Sequence, residues 1–190
     1  MPDTTTPPRR LGRVQIGLLL GAVLWIVADQ VTKWWAESTL TLREYVPIWG
    51  DLLGWRLVYN PGAAFGLAAD YTWILTIVAA LAVVGLSWFS TRVTHPLWAV
   101  GTSALLGGAI SHLGDRLFRE PGFAVGHIVD FIDYGGFFVG NVADIALVGG
   151  AALLVVASLF SSPREENPAE GVQEDNSAVE ESRSGEARED

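Results

Sequence analysis

The chain has 190 residues, half of them hydrophobic, with eight Trp, no Cys and only 17% charged residues. That balance is too apolar for an ordinary soluble domain, and the missing thiols exclude cysteine nucleophiles, disulfides and thiolate metal sites. The formal charge of −9 sits mostly in the tail: residues 161–190 carry ten acidic residues against Arg164, Arg183 and Arg188, a net of −7, which leaves −2 for residues 1–160 and no basic stripe for nucleic acid.

Residues 1–13 are polar, hold Arg9, Arg10 and Arg13, and read as a cytoplasmic N-terminal tail. The apolar run from Val14 to Ala28 meets no small-x-small cleavage site and continues through Asp29, Lys33, Trp34 and Trp35, which predicts a retained membrane helix rather than a cleaved signal peptide. Further spans are predicted from about Tyr71 to Ser90, from Leu97 to about Leu113 and from about Phe138 to Phe160. Each approaches the ~20 residues that a hydrocarbon core of about 30 Å demands. The expected fold is an all-α membrane protein with four transmembrane helices, forming one domain over residues 14–160.

Arg92, in the short link between spans two and three, lies on the same side as the N-terminal arginines and predicts cytoplasmic termini. Arg43, Arg56, Arg116 and Arg119 then fall outside and must be solvated, paired or functional. Between helices 1 and 2, the Pro and Gly punctuation of residues 36–70 and the run Trp55 to Tyr59 predict a small extramembrane β-rich segment. Trp34, Trp35, Trp49, Trp55 and Tyr59 are expected to form an interfacial aromatic belt. Residues 114–136 read as a second outer loop, and the acidic tail from Ser161 as disordered.

Polar clusters interrupt this apolar background, where ionised side chains need work or partners. In DQVTK, Asp29 and Lys33 are four apart on one helical face, either as an ion pair that softens burial or as part of a site. In YNPGAAFG, Asn60 precedes the turn residues Pro61 and Gly62, which either make a plain turn or hold an extended peptide. GGAISHLGDR closes the third span: Gly107 and Gly108 permit tight helix packing, while His112, Asp115 and Arg116 share a face as an ion-pair network or as catalytic groups. His95, His112 and His127 lack metal-ligand spacing, so no metal or other cofactor is expected.

The stretch IVDFIDYGGFFVGNVAD, residues 128–144, carries the most demanding set. Asn141 and Asp144 are three apart at the outer start of the fourth span, with Asp130 and Asp133 just before it. Asp133 reads as a solvated loop or helix-cap residue. Asp144 runs directly into IALVGGAALLVVASLF. Two carboxylates sharing a partly dehydrated site cannot easily both ionise, so one holds a proton while the other acts as base, an arrangement that activates water against a peptide carbonyl. A small ion-coupled transporter relaying through Asp29, Lys33, Asp115 and Asp144 is the alternative, and a noncatalytic scaffold a third reading. Clustering at one membrane face favours the peptidase, since a relay would spread its groups through the bilayer depth.

DQVTK, YNPGAAFG, GGAISHLGDR, IVDF and GNVAD, in that order over residues 29–144, resemble the lipoprotein signal peptidase (signal peptidase II) family. The resemblance implies an aspartic peptidase of the bacterial cytoplasmic membrane that cuts diacylglyceryl-modified prolipoproteins just before the lipidated Cys, near the outer leaflet. It places the catalytic pair on Asp130 and Asp144. Asn141 would orient Asp144 or the substrate, Asn60 beside Gly62 would bind substrate backbone, and Asp29, Lys33, Asp115 and Arg116 would buttress the site. The expected partners are the lipidated substrate and membrane lipid, with the enzyme a monomer. This chain departs from the family at Ser111 and His112, where relatives read Gly-Asn; an imidazole can still make one hydrogen bond there, but its charge responds to pH. The linker from Arg116 to Asp130 is also longer than in many relatives.

Overall fold

In the computed structural model, residues 12–63 and 67–160 are described. The expectations for Arg9 and Arg10, for the end of the YNPGAAFG motif and for the acidic tail lie outside the described residues. Four long helices are present: α1 (Arg13–Thr39), α2 (Thr72–Ser90), α3 (Pro96–Phe118) and α4 (Val142–Phe160). One 3-10 turn, Ala69–Tyr71, leads into α2. Through Ala157 the described residues form one compact unit.

The first, second and fourth helices are long and apolar enough to cross a membrane. Their outward faces are apolar, as lipid contact demands: Leu20 and Leu24 on α1 and Val148 on α4 are about two-thirds exposed or more. α1 turns Leu18, Ala22, Asp29, Lys33 and Ala36 inward, positions that recur on one helical face. α3 is different. Its 23 residues suffice in length, but Thr102, Ser103, Ser111, Asp115 and Arg116 dilute its apolarity, and all five are buried. It packs against α1 and α2. Two adjacent glycines make the approach possible: a Cβ on Gly107 would stand 2.7 Å from the Ala22 carbonyl oxygen of α1, and one on Gly108 would stand 2.8 Å from that of Ala143 on α4. Backbone therefore meets backbone on two sides of α3.

The β-rich segment extends beyond the region expected between helices 1 and 2. Strands β1 (Val46–Trp49) and β2 (Leu53–Asn60) come from there, but β3 (Ile128–Asp133) and β4 (Val139–Gly140) come from the second outer loop. The four form one antiparallel sheet in the order β1-β2-β3-β4. Register pairs Val58 with Asp130 and Asn60 with Ile128. Directly opposed residues share a face and the side-chain period is two, so Asn60 and Asp130 project from the same side as diagonal neighbours.

The opposite face buries Leu57, Val129 and Phe131 against Ala36 at the end of α1. Trp35 and Trp55 meet edge to face at 5.1 Å, and both contact Phe131. Of the expected aromatic belt, Trp34 and Trp49 are indeed exposed, whereas Trp35 and Trp55 instead seat the sheet on α1.

Candidate active site

Asp130 stands in the middle of β3, with its carboxylate turned away from the aromatic cluster. Both oxygens are held: Asn60 Nδ2 donates to Oδ2 at 3.0 Å and Asn141 Nδ2 to Oδ1 at 2.7 Å. Asn60 is itself fixed by an Asx turn, in which the Gly62 N–H donates to its Oδ1 at 2.9 Å. Asn141 bridges the two carboxylates through a reciprocal cap at the start of α4. The Asp144 N–H donates to Asn141 Oδ1 at 3.0 Å, and the Asn141 N–H donates to Asp144 Oδ2 at 2.9 Å. The cap satisfies orphan donors of the first turn and aims Asp144 back toward the sheet. Helix-cap chemistry and site geometry are here the same bonds.

Burial pushes the Asp130 carboxyl up to about 7, and the nearby Asp144 charge adds to the rise, while the amides of Asn60 and Asn141 pull the other way. Near neutral pH, Asp130 can therefore hold a proton. Asp130 and Asp144 both line a cavity of about 270 Å³, with Asn60, His112, Arg116 and Phe138 among its polar and aromatic wall. α2 closes the other side with Leu75, Val78, Ala79 and Ala82. The cavity thus presents one wall of polar groups and one of apolar side chains.

Around this centre a second set of bonds ties three helices together. Asp29 and Lys33, both fully buried, pair at 2.5 Å, and Lys33 Nζ also reaches Asp115 Oδ2 at 2.7 Å. Asp29 accepts from Ser111 Oγ at 2.6 Å and from the Ala143 N–H of α4 at 2.8 Å. Asp115 also accepts from Gln30 and from Arg119, and Arg119 pairs with Glu37. This buried set is fully bonded, which makes burial of its charges tolerable.

Asp115 and Arg116 do not pair with each other as their adjacency suggested; successive helical residues point about 100° apart. Arg116 turns to the loop, donating to the carbonyls of Asn60 at 3.1 Å, Pro61 at 2.9 Å, Gly126 at 3.1 Å and Gly62. It thereby staples the Asn60 turn to the approach to β3. Asp133 is not the solvated cap expected from its loop position. It lies fully buried on β3, pairs with Arg56 at 2.8 Å and accepts from the Gly136 N–H that closes the β3-β4 turn. Its pairing across to Gly54 of β2, far away in sequence, is what the local pattern concealed.

The sequence-predicted residues Asn60, Gly62, His112, Arg116, Asp130 and Asp144 thus meet around one cavity, with Asn141 bridging behind them. Asp29, Lys33 and Asp115 do not line it. Gln30, Glu37 and Arg119 join their network without having been singled out as site residues; an amphipathic reading of α1 from Asp29 on would have placed Gln30, Lys33 and Glu37 on one side. Among the described residues no group of three or more His, Asp or Glu side chains is placed to hold a metal ion.

Comparison with known proteins gives this geometry its relatives. Residues 21–160 match the family described as signal peptidase (SPase) II. A lipoprotein signal peptidase of Mycobacterium avium is 50% identical over 155 residues, which cover 81% of this chain and 82% of that protein. One from Mycobacterium tuberculosis is 47% identical over 159 residues, covering 84% and 77%. A bacterial membrane enzyme solved by the in meso method at 2.3 Å resolution superposes with a TM-score of 0.70 and 26% identity, over 80% of this chain and 92% of that one. With a family match over most of its length, and relatives far above 30% identity, the chain belongs to the signal peptidase II family.

Proposed function

We propose that the protein is an intramembrane aspartic endopeptidase that releases signal peptides from diacylglyceryl-modified prolipoproteins, cutting before the lipidated Cys. The observation that carries the reading is the bridged pair: one amide, Asn141, holds Asp130 through Nδ2 and the Asp144 backbone through Oδ1. Asp130, raised to about 7, keeps the proton, and Asp144 is the base. Asp144 takes a proton from a water molecule, whose oxygen bonds to the scissile carbonyl carbon, while the Asp130 O–H protonates the carbonyl oxygen. The resulting diol collapses as the C–N bond breaks. The proton held by Asp144 passes to the departing amine, and the diol returns one to Asp130.

The full fold in this reading has four spans over residues 14–160, with α3 shielded from lipid by its neighbours. Both termini lie in the cytoplasm, and Asp130 and Asp144 lie near the outer leaflet of a bacterial cytoplasmic membrane. Arg116 and Gly62 hold the turn that presents Asn60, which bonds Asp130 and can also reach substrate backbone. Asp29, Lys33 and Asp115 fix the helices that carry the site. The working unit is one chain in its lipid surroundings. A lipidated precursor incubated with the purified protein should lose its signal peptide, and Asp130→Asn and Asp144→Asn should each stop release by at least about a thousandfold while the protein remains folded. Release at the normal rate by either variant would overturn the assignment.

A further inference from the structure

His112 makes a contact that the water-activating step described above does not use. Its Nε2 lies 3.2 Å from Asn141 Oδ1 and 3.7 Å from Asp144 Oδ1. The rest of the network settles which atom carries the proton. The Asn141 Nδ2 group donates to Asp130 Oδ1 and to the Val129 carbonyl, and Asn141 Oδ1 already accepts from the Asp144 N–H. The amide cannot be reversed without setting donors against the Asp144 N–H. His112 Nε2 therefore faces an acceptor and must be protonated.

Resting on the peptidase reading, we infer that His112 is a positioning residue of the dyad: its Nε2–H clamps the Asn141 carbonyl, so that the opposite end of that amide stays on Asp130. Without the clamp, Asn141 keeps only the backbone bond at its oxygen and can turn its Nδ2 group off Asp130.

The other charges that face the ring are few. Asp130 and Arg116 share its cavity, Arg116 one turn further along α3, and the Arg116 guanidinium is engaged by loop carbonyls. Asp115 on α3 and Asp29 on α1 are already bound to Lys33. α2 presents only apolar side chains to the cavity. The free carboxylate facing the ring is therefore Asp144, at 3.7 Å, and the acceptor its Nε2–H meets is Asn141 Oδ1.

Two substitutions and one spectroscopic measurement test this in the full-length protein reconstituted in lipid. His112→Leu should lower kcat about tenfold, the size of one lost hydrogen bond, with KM within about twofold of the parent. His112→Gln, which restores an N–H donor without a titrating ring, should recover most of that loss at neutral pH. Nitrogen-15 NMR of labelled histidine, with the His112 signals identified by their loss in the Gln variant, should show Nε2 protonated and Nδ1 bare at alkaline pH. An Nδ1–H tautomer, or equal kcat in the Leu and Gln variants, would overturn the inference. The NMR result does not depend on turnover, so a protein that fails to cleave the lipidated precursor would sink the peptidase reading and leave the histidine assignment separately tested.

Discussion

Asp130→Asn tests both the chemistry and the energetics of the site. In the native protein the Asp130 carboxyl is raised from the ordinary 3.8 to about 7, chiefly by burial and then by the Asp144 charge. At about 1.4 kcal/mol per pH unit the displacement corresponds to about 4 kcal/mol of penalty on the ionised form. Between pH 4 and 7 the native state binds this proton and the unfolded chain does not, so stability from this group is complete below pH 4 and drains away as pH rises through 7. Roughly 2–3 kcal/mol of that loss falls between pH 5 and 8.

Asparagine at position 130 does not titrate, so the variant lacks this slope. It has its own constant cost: the Asn60 and Asn141 amides both donate to Asp130, and an Asn offers a single acceptor oxygen, leaving one donor facing another for about 1–3 kcal/mol. Thermal unfolding in detergent at pH 5 and pH 8, read beside a gel-shift cleavage assay, separates the two effects. The variant should be inactive at both values, and its stability relative to the parent should improve by about 2–3 kcal/mol from pH 5 to pH 8. A difference that stays constant, or that moves against the variant, would refute the argument that burial keeps Asp130 protonated.

Lys33→Met removes the cation that lies between Asp29 and Asp115, leaving two buried carboxylates without it, and should cost about 3–5 kcal/mol in unfolding free energy; an unchanged melting temperature would contradict that. A Cβ at Gly126 would fall 2.3 Å from the Asp115 carbonyl oxygen and 2.8 Å from that of Arg119. Gly126→Ala must therefore shift the loop, at about 1–3 kcal/mol. Because Arg116 grips the Gly126 carbonyl, cleavage should fall with stability. Full activity with a parental melting curve would show that the loop moves freely.

What could be read from the sequence was local. The helices stand within a few residues of their predicted positions: α1 continues through Asp29, Lys33 and Trp35 as expected and ends at Thr39, whereas α3 runs past the expected Leu113 through Asp115 to Phe118, because its polar end is satisfied by partners on another helix and in the loops. Asn141 and Asp144 were legible because a cap and a one-sided helix both follow from i, i+3 spacing. Long-range pairing was not. Nothing local in IVDFID announces that it adds to a strand some 70 residues earlier, and so Asp133 reads as loop until its pairing to β2 is known. The divergence of Asp115 and Arg116 likewise needs the neighbours, since the helix fixes only the angle between them and not what waits at each direction.

The bond from Asp29 to the Ala143 N–H joins residues 114 positions apart. Ribosomal synthesis delivers α1 first and α4 last, so Asp29 emerges long before the amide that it anchors. Until then it has Lys33, which needs only one helical turn to find. In the folded protein the Asp29 carboxylate serves both Lys33 and the Ala143 N–H that precedes Asp144. On the proposed mechanism, a chain without α4 lacks one of its two carboxylates, and Asp29 of α1 anchors the first turn of α4, from which Asp144 projects.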